Sequence, residues 1–140
     1  MTTISPSVQF FLHLAKAQSV LGRRFDSGLN GLSQSDFMIL YHLSRAKDGK
    51  MRRIDLAEKV GLTASGVTRL LAPMEKVGLV RREKNADDAR VSEVSLASGG
   101  KTRLENTLEY AELLAEDLTP PGKAKKLEEF SEILMMLGGR

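Results

Sequence analysis

Apolar residues recur along this chain at spacings of three and four, interrupted by short polar turns, and that pattern predicts a series of amphipathic helices. Ser5-Pro6 opens the first, with a serine cap and proline at the first helical position. Phe11, Leu14, Gln18, Leu21 and Phe25 alternate 3 and 4 apart, the spacing of a helix-packing seam, and Asn30-Gly31 ends the helix. Ser33 with Asp36 three residues later predicts a capping box. The helix behind it presents Phe37, Leu40 and Tyr41 inward and closes at Lys47-Asp48-Gly49.

The middle of the chain changes character. Met51 and Arg52 fit a short strand, and a helix follows from Ile54 to Val60. Gly61 turns the chain, Thr63 can cap, and a further helix runs to about Lys76 before Gly78 stops it. That helix has an apolar stripe at Val67, Leu70, Leu71 and Met74, with Ser65, Thr68, Arg69 and Ala72 on its opposite face. Leu79 to Glu83 and Val91 to Leu96 have strand composition. Lys84 to Ala89 form the loop between them, with turn chemistry from Asn85, Asp87 and Asp88. From Ser98 a long helix to about Leu118 repeats the seam at Leu104, Leu108, Ala111, Ala115 and Leu118. Pro120-Pro121 breaks it, and a last helix, roughly Lys123 to Leu137, aligns Leu127, Phe130, Leu134 and Leu137.

Composition narrows the function. The chain has 140 residues, 41% hydrophobic and 28% charged, which suits a single globular domain spanning 1–140. Its apolar runs are too short to span a bilayer and its beginning lacks a secretion-signal pattern, so a cytoplasmic protein with no membrane partner is expected. With no cysteine and only His13 and His42, no metal or thiol site is expected. No phosphate-binding loop, nucleophile elbow or dinucleotide fingerprint is present. The expectation is a non-enzyme without cofactors. Charge is segregated: residues 51–103 hold eleven Lys/Arg against seven acids, whereas residues 104–140 hold four against eight. One face turned toward a polyanion accounts for that asymmetry.

Helix, glycine turn, helix, strand, charged loop and strand from Ile54 to Arg90 read as a helix-turn-helix with a wing. Small hydroxyls and an arginine on the open face of the second helix suit the major groove of double-stranded DNA, where a helix must approach base edges closely. Arg81, Arg82, Lys84 and Arg90 are placed to reach phosphates. The terminal seams fit either intramolecular packing or a dimer interface built from both ends of the chain, and the second reading is favoured because one central module buries three such stripes poorly. A protein-interaction module is disfavoured by the basic charge of the helix and wing.

These residues resemble the MarR (multiple antibiotic resistance regulator) family of bacterial transcription factors over nearly the whole chain, from about Phe10 to Leu137. The resemblance is carried by GLTASGVTRLL (Gly61 to Leu71), MEKVGLV (Met74 to Val80) and DDARVSEVSL (Asp87 to Leu96), with GRRFDSGLNGLSQSDFMIL (Gly22 to Leu40) before them. It implies a mainly α fold with a small β wing: a winged helix-turn-helix (about 33–97) flanked by N- and C-terminal dimerisation helices (about 5–30 and 98–137). It implies a homodimeric repressor of a pseudo-palindromic operator, released by a small phenolic or anionic effector bound between the dimerisation helices and the DNA-binding module. Thr63, Ala64, Ser65, Gly66, Thr68 and Arg69 fall at the base-reading positions. Asp88-Ala89-Arg90 matches the wing motif in which the aspartate braces an arginine that enters the minor groove.

Each assignment has a plainer counterpart. Thr63 also serves as a helix cap, Thr68 can bond back to its own helix, Arg69 can form a surface ion pair, and Asp88 can be a turn residue. His13, Phe37 and Tyr41 are effector-pocket candidates and equally good core residues. Control by abundance or a protein partner, without any ligand, is also compatible with the chain. Pro73 inside the second helix predicts a kink. Ala97 stands where the family often has a threonine cap, so a loose start is expected for the long helix.

Overall fold

The computed structural model describes residues 2–139. Six helices and three short strands follow one another: α1 (Pro6–Gly28), α2 (Gln34–Arg45), β1 (Lys50–Arg52), α3 (Arg53–Val60), α4 (Ala64–Lys76), β2 (Val80–Lys84), β3 (Ser92–Leu96), α5 (Ser98–Leu118) and α6 (Ala124–Leu137). The architecture is mainly helical with a small antiparallel sheet, as the pattern predicts.

Local chemistry sets the helix ends. Ser5 Oγ accepts from the Val8 amide at 3.2 Å, with Pro6 at the first helical position. The capping box at α2 forms: Ser33 Oγ accepts from Asp36 N at 3.0 Å, and Asp36 Oδ2 accepts in return from Ser33 N at 3.5 Å. Gly61 ends α3 in the left-handed region at φ 71°, a conformation that costs a residue with a Cβ.

The core lies in the middle of the chain. Ile39, Leu40 and Leu43 of α2 meet Leu56 and Val60 of α3, Val67, Leu71 and Met74 of α4, Val80 of β2 and Val94 of β3, all buried. Leu29, Leu32, Leu79 and Leu104 complete it. The α2 stripe differs from the expected one. Leu40 is buried and Phe37 packs at the edge of the core, but Tyr41 is 42% exposed, and Ile39 and Leu43 take the inner positions. The buried arc is shifted because α2 packs at once against α3, α4, α5 and β3.

The sheet is ordered β1-β3-β2, all antiparallel, with Val94 opposite both Met51 and Arg82. Lys84 is the last residue of β2, opposite Ser92, and not part of the wing loop as expected. Helix α5 starts tightly rather than loosely. Ala97 makes no side-chain cap, but a Cβ on Gly99 would lie 2.6 Å from the Gly78 carbonyl oxygen, and one on Gly100 would collide with the Leu79 carbonyl. Glycine therefore lets the helix start sit directly on the α4–β2 turn, and Leu79 O also accepts from Ala97 N at 3.1 Å. Further along α5, Arg103 Nη2 donates to Asn30 O at 2.6 Å and ties the helix to the α1–α2 corner.

The two ends of the chain differ from this middle. Neither α1 nor α6 contains a buried residue. Phe11, Leu12, Leu108, Leu113, Phe130 and Leu134 are among the large apolar side chains left exposed on α1, α5 and α6. No helix among the described residues is long and apolar enough to cross a membrane.

Candidate nucleic-acid interface

Helix α4 is held from behind by its apolar stripe. Val67, Leu71 and Met74 are buried and Leu70 packs against the core, so the opposite face with Ser65, Arg69 and Ala72 is open to solvent. The N-terminus of the helix is closed by Thr63, whose Oγ1 accepts from Gly66 N at 3.0 Å and lies 3.4 Å from Ser65 Oγ. Ala64 and Gly66 are half-buried beside it and present little side-chain bulk. The first turn of α4 thus offers small groups and two hydroxyls, followed by the exposed Arg69, which forms no ion pair among the described residues.

Thr68 behaves otherwise. Its hydroxyl donates to Ala64 O at 3.0 Å and accepts from Arg53 Nη1 at 2.9 Å, in a half-buried position. The back-bonded alternative for this residue is the one the fold adopts. Arg53 escaped sequence reasoning because it lies 15 residues away on α3 and no local pattern links the two. Pro73 is exposed in the last turn of α4, and the helix runs unbroken across it to Lys76.

The wing is organised by side chains in its loop. Asn85 Oδ1 accepts from the amides of Asp87 and Asp88 at 2.8 and 3.1 Å, while its Nδ2 donates to Glu93 Oε1 at 2.6 Å. Glu93 is buried on β3 and anchors that turn to the sheet. Asp88 then receives Arg90 three times, from its backbone amide at 3.0 Å and from Nε and Nη2 at 3.1 and 3.2 Å. The Arg90 side chain remains 90% exposed despite these bonds. The Arg90 guanidinium, and then its backbone amide, hold the Asp88 carboxyl below its ordinary pKa.

At the root of the wing, Arg82 is committed to α4. Its Nε and Nη2 donate to Glu75 Oε1 at 3.1 and 2.9 Å, and its amide donates to Glu75 Oε2 at 3.0 Å. These bonds keep the Glu75 carboxyl below the usual range. Arg82 therefore fixes the wing against the recognition helix, while Arg81 and Lys84 stay exposed on β2. An open helix face, a hydrogen-bonded loop with an exposed arginine and the exposed cations of the strand between them lie on one side of the wing and helix.

Comparison with known proteins agrees with this geometry. The sequence profile of the MarR family matches residues 32–92, the segment containing α2 to the start of β3. The HTH-type transcriptional repressor YetL of Bacillus subtilis is 32% identical over 105 residues, which cover 73% of this chain and 62% of YetL. Over residues 32–92 the chain carries a MarR-type winged helix. Two solved structures share the fold of this chain. Sco3205, a MarR family regulator from Streptomyces coelicolor solved in complex with DNA, superposes with a TM-score of 0.77 at 22% identity, covering 96% of this chain and 89% of that one. Bordetella bronchiseptica BpsR, whose DNA binding is regulated by 6-hydroxynicotinic acid, gives 0.83 at 16% identity over 99% of both chains. These likenesses support a MarR-type DNA-binding transcriptional regulator rather than an enzyme.

The effector candidates are less convergent in this MarR-family fold. His13 lies on an exposed stretch of α1, Tyr41 is exposed with its ring edge-on to His42 at 5.4 Å, and Phe37 packs on the core. A larger groove of about 790 Å³ opens elsewhere, at the α5–α6 elbow between Leu113, Asp117, Pro120, Lys123 and Leu127. His42, partly buried and close to Lys59, has its pKa lowered first by burial and then by that charge.

Proposed function

We propose that this chain acts as a homodimeric repressor that binds a pseudo-palindromic operator and leaves it when a small phenolic or anionic effector binds. The observation that carries the reading is the exposed apolar surface of α1, α5 and α6, paired with an open recognition helix and an exposed wing arginine. Helices of 23 and 14 residues with no fully buried residue leave an apolar surface that a second copy would cover. On this reading residues 5–30 and 98–137 make the dimer, and residues 33–97 read DNA.

A dimer with two-fold symmetry presents two α4 helices to half-sites about 34–36 Å apart. Ser65 and Arg69, with the small Ala64 and Gly66 and the cap Thr63, approach base edges, while Arg90 enters the adjacent minor groove, where narrow A·T-rich segments focus negative potential. Arg81 and Lys84 add phosphate contacts that position the protein without reading sequence. Repression is supported by the likeness to YetL, and effector control by the likeness in fold to BpsR. An effector shifts occupancy only by its differential affinity for the two spacings of the recognition helices.

The test is selection of bound duplexes from a random-sequence pool by the purified protein, followed by sequencing. The expected product is an inverted repeat with half-sites one helical turn apart. Recovery of a single, non-repeated half-site would reject the symmetric reading, and recovery of no preferred sequence would reject specific recognition.

A further inference from the structure

Thr68 occupies a position where a base reader is expected, yet its hydroxyl proton is given to Ala64 O and one lone pair to Arg53. Arg53 is the first residue of α3 and is half-buried. Arg52, Arg82 and Arg90 are each paired with a carboxylate, on Asp55, Glu75 and Asp88. Arg53 has no such pair among the described residues, and its Nε is buried without a hydrogen-bond partner. A buried donor left unmade is costly, so this guanidinium is held in place by Thr68 while its charge stays uncompensated.

Beside it lies a cleft of about 160 Å³ between the first turn of α3 and the root of the wing, lined by Arg52, Arg53, Ile54, Arg90, Val91 and Ser92. The location matters. With α4 in a major groove and the wing arginine in the neighbouring minor groove, whatever lies between them faces the sugar-phosphate strand that separates the two grooves. The cleft reaches the wing at Arg90 and is tied to α4 through the Arg53–Thr68 bond.

We propose that this cleft seats a DNA backbone phosphate contacted by Arg53, and that Thr68 is a positioning residue that aims Arg53 rather than a reader of bases. The inference rests on the DNA-binding reading above. A phosphate there supplies the counter-charge that Arg53 lacks, and the Thr68 bond removes the freedom a long side chain would otherwise lose on binding. The contact is independent of sequence, because phosphates carry none.

Binding of the full chain to a fluorescent random-sequence duplex is measured across a salt series for the wild type, Arg53→Gln, Thr68→Val and the double variant, with thermal melting of each protein. The slope of log K against log salt is expected to fall by about 0.9 per protomer in Arg53→Gln, one phosphate's worth. Thr68→Val is expected to weaken binding severalfold alone and to add nothing on the Arg53→Gln background. In 15N-arginine spectra of the unsubstituted protein, the Arg53 Nε–H signal should shift on adding duplex, a readout that needs no variant to fold.

An unchanged slope in folded Arg53→Gln, or an unmoved Arg53 signal, overturns the proposal. So does a change in base preference by Thr68→Val on duplexes selected as above. A wild type that binds no duplex would instead sink the DNA-binding reading itself, so the two failures are distinguishable.

Discussion

Asp88 receives both the backbone amide and the guanidinium of Arg90, two residues on, so an arginine that stands almost wholly in solvent is also constrained. An arginine in solution must be ordered when it enters a groove, and that ordering opposes binding. Here the aspartate has ordered it beforehand, at the cost of a negative charge beside the DNA. Asp88→Asn separates the two effects, since it keeps the shape and removes the charge. We expect Asp88→Ala to lower DNA affinity and Arg90→Ala to lower it further while reducing the salt slope by about 0.9 per lost phosphate equivalent. Fluorescence anisotropy across a salt series reads both. Equal affinity in Arg90→Ala and wild type would remove the wing from the interface.

Two arginine–carboxylate pairs, Asp88–Arg90 and Glu75–Arg82, add a small acid-side contribution to stability, screened by solvent because both are open to it. Asp88 and Glu75 both have pKa values lowered, chiefly by side-chain hydrogen bonds from Arg90 and Arg82 and then by the backbone amides of those residues. A carboxyl lowered in the folded state contributes stability that is fully present above its unfolded pKa and is lost as pH falls through the folded value. These two carboxyls should therefore leave stability flat through neutral pH and weaken it only below the ordinary carboxylate range. His42 acts higher. Burial and Lys59 lower its pKa, so its contribution is present above the ordinary histidine value and declines as pH falls below it. Chemical denaturation from pH 8 down to about pH 2.5 should show a decline beginning near pH 6.5, and His42→Gln should remove that early part while leaving the acid limb.

What could be read from the sequence follows the range of the interactions. The Ser33–Asp36 capping box, the Thr63 cap and the turn at Gly61 rest on residues at most three apart and appear as expected, as does the Asp88–Arg90 brace that the family resemblance implied. The alternating stripe of α4 was likewise legible because a helix repeats every 3.6 residues, whereas on α5 Leu104 is buried but Thr107 and not Leu108 takes the next inner position. The Arg53–Thr68 bond, the Glu75–Arg82 clamp and the Arg103–Asn30 tie were not, because their partners meet only after the elements pack. Tyr41 illustrates a subtler limit: α2 has apolar residues around much of its circumference, so periodicity located the helix but not the edge of its buried arc.

Gly99 and Gly100 read in sequence as a weak helix start, and the fold uses them as a contact. A methyl on Gly100 would meet the Leu79 carbonyl oxygen and Leu96 Cδ1. Gly100→Ala should thus destabilise the protein by ~1–3 kcal/mol or more despite its higher helix propensity. Moving α5 off the β2 turn would also shift the terminal helices relative to the recognition helix. Thermal unfolding gives the first quantity, and DNA affinity of the folded fraction gives the second. A stabilised Gly100→Ala protein would mean that the close approach is not maintained in solution.

The exposed face of α6 provides the decisive test of symmetry. Phe130 and Leu134 lie one turn apart there, both exposed, and a charge between two copies would be buried without a partner. Phe130→Asp should convert a dimer into a monomer in sedimentation at micromolar concentration, without unfolding, because the side chain contributes nothing to the buried core. Operator affinity should then fall at least 100-fold, since two recognition helices joined in one body gain that much or more over a single one through effective concentration. Affinity for one isolated half-site should change far less, because α4 and the wing are untouched. If Phe130→Asp stays dimeric with full operator affinity, the dimer is built on another face and the role given to α6 falls.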